Sequence, residues 1–115
     1  MNEQMEALRT ANEYLENLLG GVKKVVNYIE QGEEEKGIDL IQPIADGIEW
    51  LLSAVNLTQE AHKGSVEIGQ INEKLGEVVD ALENEDFVLV GDLFNYEILP
   101  ILEDIQNNIR LIVRN

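Results

Sequence analysis

His62 is the only histidine in the chain and the first candidate for catalysis or metal binding. Di-iron bundle proteins supply a Glu-x-x-His motif from each of two helices, whereas the residue three positions before His62 is Gln59. No nucleophile or carboxylate partner is indicated near His62, so we expect a solvated residue at a helix end and not a general base. Cysteine is absent, and the glycines lack the spacing of a phosphate-binding loop. The sequence therefore predicts no enzyme activity, no cofactor and no metal site.

Acidic residues cluster in the two stretches that we expect to connect helices one to two and three to four. In an up-down bundle these connections lie at the same end of the molecule. They can be solvated residues that also favour the N-termini of the following helices. Alternatively, they can form a landing site for a basic partner or a weak divalent-cation site, although no EF-hand pattern is present. This acidic pole consists of Glu33, Glu34, Glu35, Glu83, Glu85 and Asp86.

Large apolar residues outside the expected core stripes are candidates for an interface. Trp50 lies about 135° around helix two from the centre of its core stripe, at 100° per residue. Helices one and four each carry a second apolar row beside the core stripe. We predict a homodimer formed through the helix-one row, with Trp50 or the helix-four row as the alternative surface. The candidate interaction residues are Tyr14, Leu18, Val25, Tyr28, Trp50, Leu89, Leu93 and Tyr96.

The elements that position these residues follow from apolar residues spaced three and four apart. This spacing predicts helices over residues 2–30, 38–61, 65–83 and 87–113. Helix one has two apolar stripes, which makes it the organising element, and Asn12 is the one polar residue in its main stripe. The adjacent glycines Gly20 and Gly21 in its middle predict a close helix contact or a bend. Gly32 is expected to end it in a left-handed conformation.

The boundaries of the later helices depend on caps and prolines. Asp39 and Gln42 resemble a capping box, which places Pro43 in the first turn of helix two. Either Thr58 or Ser65 can cap helix three, and we favour a break near Gly64.

In helix four, Asp86 is the expected N-cap, and Pro100 lies deep in the interior. Because proline removes an intrahelical hydrogen bond and crowds the preceding turn, we expect a kink between Tyr96 and Pro100.

The two halves of the chain match each other after a shift of 53 positions, which aligns Val22 with Leu75 and Ile29 with Leu82. Two helical hairpins in tandem are the simplest explanation. We therefore predict an all-α, antiparallel up-down four-helix bundle forming a single domain over residues 1–115.

Charge and hydropathy restrict the classes of partner. The formal net charge is −15 and the isoelectric point is near 4.2, which disfavours binding to nucleic acid or to anionic lipid. No apolar run approaches the roughly 20 residues of a membrane span, and no leader pattern is recognisable. We expect a soluble, cytoplasmic protein without membrane contact.

One stretch resembles a known kind of protein. The segments Leu82-Glu83, Asp86-Phe87-Val88-Leu89, Asp92-Leu93 and Tyr96-Glu97, followed by Pro100, resemble a stretch in uncharacterised small acidic helical-bundle proteins of Gram-positive bacteria. The resemblance covers Ala81 to Glu103. It implies a bacterial, cytoplasmic helical bundle and brings no activity or site residues with it.

These observations favour a non-catalytic protein-protein interaction or adaptor module that binds a basic or amphipathic protein partner. The alternative is a flagellar or secretion export chaperone, which would cover an amphipathic client segment and would need a long exposed apolar groove. A third class is a small-ligand carrier or enzyme with a pocket at the Pro100 kink, which would require Asp92, Tyr96 and Glu97 to converge.

Overall fold

The computed structural model describes residues 2–114, and most of these residues are helical. Helix α1 spans Glu3–Glu30, α2 Glu34–Asn56, α3 Gln59–His62, α4 Ile71–Glu83, α5 Phe87–Leu93 and α6 Leu99–Val113. A π-helical turn, Phe94–Ile98, joins α5 directly to α6. Residues 2–114 contain no β-strand. The all-α prediction is confirmed.

Helix α1 is the central element because both of its apolar stripes are buried. It contacts α2, α5, the π turn and α6. Leu15 and Val22 of the first stripe are fully buried, and so is Val25 of the second, where Leu18 is 4% exposed. The prediction that Leu18 and Val25 lie off the core was wrong, because α2 covers the second stripe.

Glycines on α2 permit this close packing against α1. A methyl group at Gly37 would lie 3.2 Å from Ile29 Cγ1. Ten residues further along α2, a methyl group at Gly47 would overlap the Tyr14 hydroxyl and lie 2.7 Å from Leu18 Cδ2. The contacts therefore move toward the N-terminal end of α1 as they move toward the C-terminal end of α2.

Ile29 is packed between two helices. A methyl group at Gly91 of α5 would lie 3.2 Å from its Cγ2 atom, on the other side from Gly37. The end of α1 therefore fits between α2 and α5, and each neighbour provides a glycine at the closest approach.

The paired glycines inside α1 have different environments. A methyl group at Gly21 would lie 3.3 Å from Ile44 Cγ1. A methyl group at Gly20 would have no such neighbour within 4 Å. The close contact that the sequence predicts is present at Gly21 only.

Helix α1 ends in a Schellman motif. Gly32 has a φ of 79°, as expected, and its N–H donates to the Ile29 carbonyl at 3.1 Å. The Glu33 N–H donates to the Tyr28 carbonyl at 2.8 Å. These two bonds satisfy carbonyls that the end of a helix would leave unpaired.

Helix α4 ends in the same motif, 53 positions later. The Glu85 N–H donates to the Leu82 carbonyl at 3.1 Å, and the Asp86 N–H donates to the Ala81 carbonyl at 2.9 Å. Glu85 has a φ of 54°, so a glutamate occupies the left-handed position that Gly32 takes in the first turn. The spacing of the two turns equals the shift found in the sequence.

Helix α2 begins earlier than expected. It begins at Glu34, one residue after the end of the first Schellman motif, so the Asp39 capping box was wrong and Pro43 lies inside the helix. Acidic residues at positions 34 and 35 favour a helix N-terminus through the helix dipole. The side chain of Gln42 instead donates to Asp46 Oδ1 at 2.9 Å.

The connection between α2 and α4 is longer than expected. After the short helix α3, Lys63 and Gly64 have φ values of 52° and 77°, and no helix forms again until Ile71. Two successive left-handed residues redirect the chain, which explains why Ser65 does not begin a helix. Val66, at 4% exposure, anchors this connection in the core.

The helical segment from Phe87 to Val113 has the predicted bounds and the predicted irregularity. Asp86 Oδ1 accepts from the Leu89 N–H at 3.1 Å, so the N-cap is confirmed. The π turn lies just before Pro100, where the Leu99 N–H donates to the Phe94 carbonyl. A widened turn is one way for a helix to accommodate a proline that has no N–H to donate.

The first and third connections lie at the same end of the molecule. Residues 32–36 and Ile38 line one surface depression together with Phe87. At the other end, Gln4 Oε1 accepts from the Ala61 N–H at 3.0 Å. The molecule measures 47 × 21 × 19 Å, so the acidic pole and the termini are separated along its long axis.

Candidate functional site

His62 is a buried structural residue. It is 3% exposed, so the expectation of a solvated side chain was wrong. Its Nδ1 accepts from the Gly64 N–H at 3.1 Å, which leaves Nε2 to donate to the Val55 carbonyl at 2.9 Å. The Thr58 hydroxyl donates to the carbonyls of Ala54 and Val55, at 2.8 and 3.1 Å. The side chains of Thr58 and His62 therefore donate to carbonyl groups in the last turn of α2.

The acidic pole is built mainly from exposed side chains. Glu33 is paired with Lys36 at 3.2 Å, and Asp86 caps α5. The ammonium of Lys36 lies 5.9 Å from the centre of the Tyr28 ring, within cation–π range. Within residues 2–114, no three acidic or histidine side chains converge to hold a metal ion.

The helix-four row is only partly available to a partner. Tyr96 and Leu89 are 69% and 42% exposed, but Leu93 is buried. A contact through this row therefore cannot include Leu93, because the side chain belongs to the core.

The π turn does not assemble a pocket from the residues that the sequence singled out. Asp92, Tyr96 and Glu97 are all exposed. Glu97 lies 3.8 Å from the Lys74 ammonium of α4, and Glu77 lies 3.1 Å from the same group. The hydrogen bond with Glu77 raises the pKa of Lys74, and the neighbouring carboxylates reinforce the shift. These side chains form a surface ion-pair network.

An aromatic notch between α1 and α2 is the strongest candidate for a binding site. We define the notch by Tyr14, Trp50, Pro43, Asp46 and Gly47, which line a depression of about 390 Å³ together with a threonine at position 10. The Tyr14 and Trp50 rings meet edge to face, with centroids 5.1 Å apart and an interplanar angle of 74°. Such an arrangement is favourable for aromatic pairs and fixes both rings.

The floor of the notch depends on a missing side chain. Because Gly47 has no Cβ, the Tyr14 hydroxyl can lie directly over the α2 backbone. Tyr14 is therefore half-buried, while Trp50 stays 45% exposed at the rim. Asp46 supplies a negative charge beside the rings, and its carboxylate is oriented by Gln42 at 2.9 Å.

The sequence identified Trp50 and Tyr14 but assigned them to separate surfaces. Their positions 36 residues apart gave no local signal that the two rings would meet. The contribution of Gly47 was also missed, although a glycine inside an amphipathic helix signals close approach of another element. Tertiary packing of α2 on α1 combines the three residues into one site.

Comparisons with known proteins agree with an uncharacterised helical domain. No helix within residues 2–114 has the length and apolar character that crossing a membrane requires. The search of curated proteins and the search of solved structures each found no match. A family model described as a domain of unknown function (DUF8042) matches residues 6–108. Because this match covers most of the chain, the protein belongs to the DUF8042 family.

Proposed function

We propose that the chain is a non-catalytic protein-binding module of the bacterial cytoplasm, and that the aromatic notch is its contact site for a basic or amphipathic segment of a partner. The observation that carries the proposal is the half-exposed Trp50 ring, held edge to face by Tyr14 above a glycine floor. A large aromatic side chain restrained by such a contact loses less conformational entropy on binding than an unrestrained one.

Charge indicates the chemistry of the partner. The chain carries −15 overall, and Asp46 lines the notch itself. A lysine or arginine approaching the Trp50 face would gain a cation–π contact together with an ionic contact to Asp46. Apolar neighbours in the same segment would pack on Pro43 and the Tyr14 ring. A segment with both properties fits this site better than an acidic or purely polar one.

The supporting architecture is an antiparallel up-down four-helix bundle made of two tandem hairpins, which we infer from two observations. Contacts along α1 and α2 proceed in opposite directions, from Ile29 and Gly37 to Tyr14 and Gly47. The two hairpin turns also share the same Schellman hydrogen bonds at a spacing of 53 residues. The segment Phe87–Val113 then acts as one long fourth helix despite its π turn.

We prefer a contact site at the notch to an export chaperone, because the apolar stripes that would bind a client segment are largely buried. The chaperone would use the second stripe of helix one or of helix four as a client groove. Leu18 and Val25 of the first of these stripes are buried, and so is Leu93 of the second. A small exposed site with a central aromatic residue is more typical of a contact hot spot than of a groove that covers a client helix.

Site-specific photo-crosslinking in a bacterial host tests the proposal. A photoreactive amino acid at Pro43, on the exposed rim, should crosslink one defined protein, whereas the same group at Leu57 should not. Leu57 is the matched control because it is apolar, 77% exposed and just beyond the end of the same helix.

The purified partner is then titrated with the wild type, Trp50→Ala and Leu57→Ala in a calorimeter. We expect Trp50→Ala to weaken binding by about 2 kcal/mol, as for an aromatic hot spot, and Leu57→Ala to have no effect. Asp46→Lys should weaken binding and reduce its dependence on salt. Equal affinities for the wild type and Trp50→Ala would rule out the notch as the contact site.

A further inference from the structure

A groove near the termini contains all three arginines of the chain. Arg9 comes from α1, and Arg110 and Arg114 come from the last turn of α6 and its C-cap. The groove has a volume of about 700 Å³, and none of the five lysines lines it. Its remaining lining is mixed and consists of Asn12, Glu13, Asn107, Leu111 and Val113. A strongly acidic protein therefore concentrates its guanidinium groups in one place.

Arg110 presents its N–H donors in a defined orientation. Arg110 Nη2 donates to Glu16 Oε1 at 2.7 Å, and Gln106 Nε2 donates to the same oxygen at 2.8 Å. This pair orients the Arg110 guanidinium, whose five N–H donors can serve more than one carboxylate. Arg114 is exposed at the C-cap of α6. Arg9 and Arg110 each have a carboxylate partner, Glu6 at 3.5 Å and Glu16 at 2.7 Å, so a further carboxylate would meet Arg114 and the remaining N–H donors of Arg110.

The complementary surface lies at the opposite end of the same molecule. At the acidic pole, Glu34 and Glu35 are exposed in the first turn of α2, and Glu85 is exposed in the third connection. The distance along α1 from Arg9 to Glu30, the last residue of the helix before the pole, is about 32 Å at 1.5 Å per residue. The long axis of the molecule therefore runs from an arginine groove to a carboxylate cluster.

Screening decides which arrangement of two copies is favourable. The Debye length is about 10 Å at 0.1 M salt, much shorter than the molecule. In an end-to-end arrangement each surface therefore interacts mainly with the end that it touches, so guanidinium meets carboxylate. Parallel side-by-side packing would instead place groove beside groove and pole beside pole. Antiparallel side-by-side packing would join both grooves to both poles, but it would also bring two chains of net charge −15 together over the 47 Å length. A second copy of the chain has the charge that fits the groove.

We propose that the arginine groove binds the acidic pole of a second copy, head to tail. The contact is heterologous, so every added copy leaves one groove and one pole unoccupied. It produces short linear assemblies whose length rises with concentration, instead of a closed symmetric dimer. The aromatic notch is not used, so partner binding and self-association are independent properties of the chain.

Charge-reversal variants at each end of the molecule test the proposal. Their self-association is measured by sedimentation velocity at low salt and millimolar protein concentration. Arg114→Glu disables the groove, and the double variant Glu34→Lys with Glu35→Lys disables the pole. Each alone should lower the association constant by about tenfold or more, because opposite charges become like charges. Lys24→Glu, an exposed reversal of the same size elsewhere on α1, is the matched control and should associate like the wild type.

A mixture of the groove variant and the pole variant gives the decisive result. The intact groove of the pole variant then meets the intact pole of the groove variant, and the two reversed ends also carry opposite charges. The mixture should therefore recover the association that each variant alone has lost. The wild-type association should fall about tenfold as salt rises from 0.05 to 0.5 M, since the contact is ionic. Circular dichroism before mixing checks that each variant is folded.

Several outcomes would overturn the proposal. A wild type that stays monomeric at millimolar concentration and low salt excludes the contact, as does a mixture that gives no dimer. A monomer whose arginine side-chain NMR signals shift on addition of inorganic phosphate would show a small-anion site instead. Trp50→Ala should associate like the wild type, and its failure to do so would assign the contact to the notch.

Discussion

Replacing Gly47 with alanine tests the close packing that forms the aromatic notch. The added methyl group would overlap the Tyr14 hydroxyl and lie 2.7 Å from Leu18 Cδ2. Alanine in a helix interior gains about 1 kcal/mol over glycine, whereas overpacking costs about 1–3 kcal/mol. Because Tyr14 is half-buried and can swing outward, we expect a net loss of about 1 kcal/mol in the free energy of unfolding.

Gly20→Ala is the matched control. Gly20 also lies in a helix interior, but a methyl group there would meet no atom within 4 Å. The variant should therefore show the full gain of about 1 kcal/mol. The two alanine variants should differ by about 2 kcal/mol, which corresponds to a difference of about 8 °C in Tm for a domain of this size.

Urea unfolding followed by tryptophan emission measures both effects, because Trp50 is the only tryptophan. Displacement of the Tyr14 ring from its 5.1 Å contact should alter the native emission of Gly47→Ala and leave that of Gly20→Ala unchanged. If both variants are equally stabilised with identical native spectra, the glycine floor of the notch has been misinterpreted.

Four further variants test three separate features by thermal or urea unfolding. Asn12→Leu should stabilise the protein by about 1–2 kcal/mol, because the buried Oδ1 of Asn12 has no hydrogen-bond partner; a loss would show that this amide is satisfied. Glu85→Gly should raise the free energy of unfolding by about 1 kcal/mol, because glycine readily adopts the left-handed conformation of this position. Gly32→Ala should lower it by a similar amount. Equal effects of the two variants would contradict the shared turn geometry. His62→Ala should lower the free energy of unfolding by about 2–4 kcal/mol, since the Val55 carbonyl loses the His62 donor and a cavity forms. An unchanged unfolding midpoint would contradict the structural role of His62.

Local features of the fold could be predicted from the sequence because they depend on a few neighbouring residues. Spacing of three and four located α1 to within a residue of its start, and Gly32 marked its end. Asp86 was identified as a cap, and Pro100 marked the irregular part of the last long helix. In each case the deciding chemistry lies within about one helical turn.

The start of α2 was predicted at the wrong residue because a local capping pattern did not decide it. Asp39 and Gln42 have the pattern of a capping box, yet α2 begins five residues earlier, at Glu34. The helical backbone before Asp39 places Gly37 against Ile29, and we infer that this packing outweighs a cap worth about 1 kcal/mol.

Only the tertiary structure decided which apolar faces are exposed. Helical periodicity shows that side chains share a face, but it does not show which element covers that face. Leu18, Val25 and Leu93 are therefore core residues, although their spacing placed them on candidate interfaces. Trp50 remained accessible because its face of α2 has no such cover.

Both proposed binding surfaces also combine residues that are far apart in the chain. The notch joins α1 to α2, and the arginine groove joins position 9 to position 114. Composition reveals the charge and periodicity reveals the helices. The juxtaposition of distant side chains, however, depends on how α2 and α6 pack against the two buried stripes of α1, and this packing is a property of the whole chain.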